Sequence, residues 1–408
     1  MAAGGNTKSA VEGSRLGPKG FQAAGLGCGI KEAAGAKDLA LIYSPVPARV
    51  VGLFTKNRVK AAPVLLTRQR VRRGLCQALI VNSGNANACT GEQGLKDAET
   101  MALLTAEALG ISPRHVLVAS TGVIGHPLPM ARIAQGIPSL VARLSPQGFS
   151  DCAEAIMTTD TRPKIITEQV AADDEITILG MAKGAGMIHP QLATMLAFLL
   201  TDARIEAPVL SDLLREGAES TFQRITIDGD TSTNDMLLLM ANGEASRRTL
   251  RPRDKAFRPF QEALFRVMDH LARALVRDGE GRTKVVTIRV KGGKSSTAAE
   301  QLAFRVAHSP LVKTAFFGQD PNWGRIMAAL GAAGVAFDPQ KVTIFFDDVM
   351  VVKNGVAAPG VTEAQQRGVL QREEFTVTID LHAGRAESFV LTTDLSLDYV
   401  KINASYRT

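Results

Sequence analysis

The chain has 408 residues and a mass of 43.4 kDa, and because single cores stop growing at about 250–300 residues, two compact lobes are expected. With 45% hydrophobic and 21% charged residues and 37 glycines, it is neither a disordered chain, a collagen nor a disulfide mini-protein. Lys and Arg exceed Asp and Glu by 47 to 40, too small a surplus to mark a nucleic-acid binder, and an uneven one: residues 1–193 hold 20 basic and 14 acidic side chains, residues 194–408 hold 27 and 26.

Short β-branched runs alternate with amphipathic stretches, the pattern of an α/β fold. Taken in chain order, strands are predicted at 39–43, 49–55, 78–83, 115–120 and 176–182, then at 236–241, 284–290, 375–381 and 388–395, with a long hairpin turning at Asp347-Asp348 within 341–352. Helices are predicted at 95–109, 129–144, 207–221, 256–277 and 299–308. The clearest is 256–277, where Phe260, Leu264, Val267, Leu271 and Leu275 recur at helical spacing. Few helices sit singly between two strands, so large mixed sheets packed face to face, with helices outside, are favoured over a doubly wound dinucleotide fold. Gly243–Asp254, rich in arginine and without an apolar run, reads as a surface loop.

The densest basic run, Arg68-Gln69-Arg70-Val71-Arg72-Arg73, lacks interleaved aromatics and reads as a solvated face rather than a base-stacking one. The four cysteines, Cys28, Cys76, Cys89 and Cys152, show no CxxC spacing, which points to a reducing compartment and away from structural zinc. No signal-peptide core and no run of ~18 uncharged apolar residues occurs. A cytoplasmic protein is expected, with neither membrane nor nucleic acid as partner.

Polar, glycine-rich segments fall near predicted strand ends, where open α/β sheets present ligands. They are NSGNANACTGEQG (82–94), STGVIG (120–125), KGAGMIHPQLATML (183–196) and DGDTSTND (228–235), followed by DGEGRTK (278–284), GQDPNWGR (318–325) and DYVKINASYRT (398–408). In KGAGMIHPQLATML, a small residue followed by Thr after a flexible turn is what an N-to-O acyl shift needs. A cut there would leave Thr194 with a hydroxyl nucleophile and, in its own α-amine, a base of unperturbed pKa ~7.7–8.0. The plainer reading makes Thr194 the N-cap of a buried helix. Thr121 and Gly122 could donate to an oxyanion, or simply close a tight turn. DGDTSTND fails the calcium-loop pattern at Thr233 and Leu239 and reads as a turn that braces the core. GGKSS (292–296) reads as a hairpin or helix-capping turn. His189 has no acidic or cysteine partner at ligand spacing.

Together these segments, with TTDT (158–161), closely resemble the ornithine acetyltransferase (glutamate N-acetyltransferase) family of arginine biosynthesis, in order from about residue 20 to the last residue. The resemblance implies mixed β-sheets sandwiched between helix layers, similar to N-terminal-nucleophile hydrolases but differently connected. It implies self-cleavage between Ala193 and Thr194 into an α chain (1–193) and a β chain (194–408), which assemble as an α2β2 heterotetramer. It places the nucleophile on Thr194, the oxyanion hole on Thr121 and Gly122, and substrate contacts on Thr158, Lys183, Thr194, Glu280, Asn403 and Thr408. The implied reaction moves an acetyl group from N2-acetylornithine to glutamate through an acetyl-threonine. No cofactor or metal is called for. Members that also take acetyl-CoA share the same motifs. Many members carry His where this chain has Leu397. The rival readings are a Thr-nucleophile amide hydrolase or aminopeptidase of similar fold, with water as acceptor, and a non-catalytic role for the basic patch.

Overall fold

The computed structural model describes residues 17–170, 175–189 and 195–405. Ala193, Thr194 and Thr408 lie outside the described residues. The first sheet is built from β1 (Gln22–Leu26), β2 (Leu39–Phe54), β3 (Leu75–Asn85), β4 (Val116–Val123), β5 (Lys164–Val170), β6 (Ile176–Lys183), β7 (Leu196–Thr201) and β8 (Met236–Ala241). Their order is β4-β3-β2-β8-β7-β6-β5, with β1 paired on β2. The sheet is mixed: β3 runs parallel to β4 and β7 parallel to β8, and the other pairs are antiparallel.

Two strands expected at 39–43 and 49–55 are one, β2. Pro45 and Pro47 have no N–H to give a ladder, and the register with β3 shifts between Tyr43 and Ala48, where the break was expected. Beyond that bulge Ala48 and Arg49 still pair with β3, while residues 49–54 pair with β8 on the other side. The apolar stretch after Thr194 is likewise a strand and not a helix. All six residues of β7 are buried between β6 and β8, and a continuous apolar run is the signature of a strand covered on both faces.

Side chains alternate across the sheet with period two. Ile178, Leu199 and Leu239 join the core beneath α5 (Ala207–Ser220) and α6 (Phe257–Arg277), whereas Leu179, Phe198 and Leu238 join Phe149 and Cys152 of α4 (Phe149–Ala155). At the other end of the sheet, α1 (Ala62–Val71), α2 (Gly91–Leu109) and α3 (Met130–Ala142) enclose Leu41, Ile80 and Val118.

The second sheet contains β9 (Val285–Gly293), β10 (Thr343–Phe346), β11 (Val349–Lys353), β12 (Val356–Ala357), β13 (Glu374–Asp380) and β14 (Ala386–Thr393), in the order β12-β11-β10-β13-β9-β14. The expected hairpin turns at Asp347, whose φ is 48°. Helix α7 (Ser296–Ala307) covers β9 and β14, and α8 (Pro310–Phe317), α9 (Trp323–Gly331) and α10 (Glu363–Leu370) complete that core. The chain continues into α11 (Leu397–Ser405). Helix α6, packed on β5 and β6, also touches β14, so the two sheets meet there through a helix. The spatial division thus falls between Ala241 and Val285, and strands β6 and β7 are neighbours in one sheet.

Candidate active site

A cavity of about 150 Å³ opens where β4 and β6 end, closed by the 228–235 segment, the turn after α6, and α11. Thr121, Gly122, Thr158, Lys183, Glu280 and Asn403 all line it. Six residues singled out in sequence, spread over nearly 300 positions, therefore share one chamber.

Gly122 has φ 132°, and a Cβ there would stand 2.3 Å from the Gly84 carbonyl carbon. Only glycine lets β3 and β4 approach so closely at their ends. Asn234 fixes the approach from the other side, its amide donating to the carbonyls of Ala86 and Ser120, both at 2.7 Å. The 228–235 segment is the brace expected of it, and it also forms one wall.

Lys183, the last residue of β6, is buried, and its ammonium donates to Oγ1 of Thr158 at 2.7 Å and of Thr121 at 3.3 Å. Burial lowers its pKa, against the pull of Asp160 in the opposite direction. Asp160 is itself buried, which alone would raise its pKa, but Lys183 and Lys164 outweigh burial and hold it at about 2. Its Oδ2 accepts the Thr158 N–H at 3.0 Å, and its Oδ1 accepts the Gly184 N–H at 2.6 Å. One carboxylate thus shapes the TTDT turn and the exit of β6 together.

Across the cavity, the Glu280 carboxylate accepts from Asn403 at 2.9 Å and lies so close to Gly186 that a Cβ there would meet it at 2.4 Å. The Glu280 N–H bonds the Ala185 carbonyl at 2.8 Å, tying this turn to the one after β6. Asp228 accepts the N–H groups of Met187 (2.6 Å) and Ile188 (3.0 Å), and Tyr399 donates to it at 3.2 Å. Burial raises the Asp228 pKa despite those donors, and burial with Asp228 nearby raises that of Tyr399. His189 stacks on His308, ring centroids 4.8 Å apart.

Asp160, Lys164, Asp278 and Tyr399 were not legible in the sequence as individual site residues, and Asp228 and Asp235 only as members of the DGDTSTND segment. Asp160 lies within TTDT, and Asp278 begins DGEG, so proximity to the motifs was the available signal. Other segments cap helices. Asn322 of GQDPNWGR caps α9, accepting the Arg325 N–H, and Ser295 of GGKSS caps α7. From NSGNANACTGEQG only Ala86 reaches the cavity wall. Leu397 is 68% exposed and does not line the cavity. Arg68, Arg72 and Arg73 are solvent-exposed, as a solvated face requires. A larger cavity, about 1730 Å³, lies under the arginine-rich 243–254 loop and includes Ile176 at the opposite end of β6.

The ArgJ family profile matches residues 22–408. The chain belongs to the ArgJ family. Curated ArgJ relatives match it along almost its whole length. The arginine biosynthesis bifunctional protein ArgJ of Symbiobacterium thermophilum is 52% identical over 397 residues, 96% of this chain and 98% of the relative. The ArgJ protein of Geobacter sulfurreducens is 51% identical, covering 96% and 99%. Among solved structures, the ornithine acetyltransferase of Mycobacterium tuberculosis, complexed with ornithine, is 41% identical over 43% of this chain and 94% of that one, with a TM-score of 0.38. Among the described residues, no helix is long and apolar enough to cross a membrane.

Proposed function

We propose that this chain is a self-processing acetyltransferase of arginine biosynthesis that moves the acetyl group of N2-acetylornithine to glutamate. The observation that carries the reading is the pairing of Lys183 and Glu280 in one small cavity. The first offers an ammonium to a substrate carboxylate and the second a carboxylate to a substrate ammonium, which suits an amino acid. The names of the relatives point the same way.

In the processing step, the Thr194 hydroxyl attacks the Ala193 carbonyl, the acyl group moves from nitrogen to oxygen, and water hydrolyses the ester. The freed α-amine of Thr194 then takes the hydroxyl proton as Thr194 attacks the acetyl carbonyl, while Thr121 and Gly122 hold the oxyanion. The amide C–N bond breaks, ornithine leaves with that proton, and acetyl-Thr194 remains. The glutamate amine attacks this ester, giving N-acetylglutamate and restoring the hydroxyl. The products of the cut remain assembled as α2β2. A second donor, acetyl-CoA, fits the word bifunctional in the relatives' names.

The test supplies acetyl-labelled acetylornithine and glutamate to purified protein. Labelled N-acetylglutamate is expected, whereas free acetate without it would show an amide hydrolase. Replacing acetylornithine by labelled acetyl-CoA asks whether both donors serve.

A further inference from the structure

Behind the cavity wall, four buried charges form a chain. The Lys164 ammonium bridges Oδ1 of Asp160 at 2.6 Å and Oδ2 of Asp278 at 2.5 Å, and the second Asp160 oxygen lies 3.9 Å from the Lys183 ammonium. None of the four side chains is more than 4% exposed. The Asp278 carboxylate also receives the N–H and hydroxyl of Thr161. Asp278 stands two residues before Glu280, so alternating charges run from one wall of the cavity to the turn that carries the other.

Such a chain is a poor way to gain stability. Taking ions out of water costs several kcal/mol each, and well-packed apolar residues of equal volume often stabilise as much or more. What the chain does supply is geometry. Asp160 holds Thr158, Gly184 and Lys164, while Asp278 holds Thr161 and Lys164. The turn before β5, the end of β6 and the turn after α6 are thereby locked to one another.

We propose that Asp160, Lys164 and Asp278 are positioning residues that fix the distance and orientation between Lys183 and Glu280, and so set the spacing of carboxylate and ammonium the cavity accepts. The inference rests on the reading that these two side chains hold the charged ends of an amino-acid substrate. The charged groups acting on Lys183 are Asp160 ahead of β5, Lys164 of β5, Glu280 after α6, Asp235 ahead of β8, and Lys31 between β1 and β2.

The test compares acetyl transfer from acetylornithine across pH for the full-length protein, Asp160→Asn, the charge-balanced Lys164→Met/Asp278→Asn pair, and Lys183→Met. Both network variants should raise KM by roughly tenfold or more. Their alkaline limbs should move in opposite directions. Removing the Asp160 carboxylate makes the buried Lys183 ammonium easier to deprotonate and shifts the limb to lower pH, whereas removing the like-charged Lys164 shifts it higher. A merely structural role would not give opposed shifts. Wild-type KM and pH profile in both variants, or shifts in one direction, overturn the inference. Should Asp160→Asn not fold, the charge-balanced pair decides alone. Lys183→Met separates the two ideas: an unchanged KM there removes the reading of Lys183 itself, while a raised KM beside silent network variants removes only the inference.

Discussion

Oδ1 of Asp235 accepts the backbone N–H of Met195 at 2.9 Å. Met195 follows Thr194, and its carbonyl accepts the N–H of Met236 at 3.1 Å, so the backbone just beyond the proposed scission point is clamped by two consecutive residues, Asp235 just ahead of β8 and Met236 at its start. Asp235→Ala should slow self-cleavage by roughly tenfold or more and lower stability by about 1–3 kcal/mol, the cost of a buried N–H left without its acceptor. Asp235→Asn keeps an acceptor and should mature faster than the alanine variant. A time course on denaturing gels reads both.

At Thr194 the two obvious substitutions should part company. Thr194→Ser keeps a hydroxyl and should retain some cleavage and transfer. Thr194→Ala should remain one band near 43 kDa and transfer no acetyl group. Normal cleavage in the alanine variant would move the nucleophile elsewhere.

Removing the proposed oxyanion donor should lower kcat more than it raises KM, because that interaction is made chiefly in the transition state. Thr121→Ala should lose on the order of 10²-fold in kcat. Gly122→Ala should lose activity and fold stability together, since its φ of 132° and the 2.3 Å approach to Gly84 leave no room for a methyl group. Steady-state kinetics with thermal melts distinguish the two behaviours.

Acid should destabilise the protein through His308. Burial, then the neighbouring His189, Lys313 and Arg305, lowers its pKa from 6.5 to about 4. The unfolded state therefore binds the proton first, and the stability due to the neutral ring is complete above pH 6.5 and lost as pH falls from 6.5 towards 4. Melting temperatures at pH 7 and pH 5 should differ less for His308→Asn than for the wild type. Equal differences would clear His308 of this role.

What could be read in advance followed local signals. The 3.6-residue period of α6 and the Asp347-Asp348 turn have their causes within a few residues, and both appear where expected. The run that forms β7 left a buried helix open as one reading at Thr194, because a short apolar run looks the same in a buried helix and in a central strand. Prolines at 45 and 47 suggested two strands where a bulge lets one continue. The residues gathered in the cavity were legible only through motifs taken jointly. Lys164 and Asp278 lay beyond that reach, because 114 residues separate them in sequence and neither has a local pattern that announces its partner. In GQDPNWGR the structure gives the asparagine a local part, since its side-chain carbonyl oxygen caps α9 and its amide donates to Asp320.

The pairing of β6 with β7, in register from Ile178 opposite Thr201 to Lys183 opposite Leu196, means that the two sides of the proposed cut are joined by a ladder of backbone hydrogen bonds. If the chain is severed between them, neither fragment owns a finished sheet: one would present β2 and β6, and the other the hydrophobic pair β7 and β8, as naked edges inviting aggregation. The pieces are thus natural complements of a split protein. They should assemble when made side by side and precipitate when made apart.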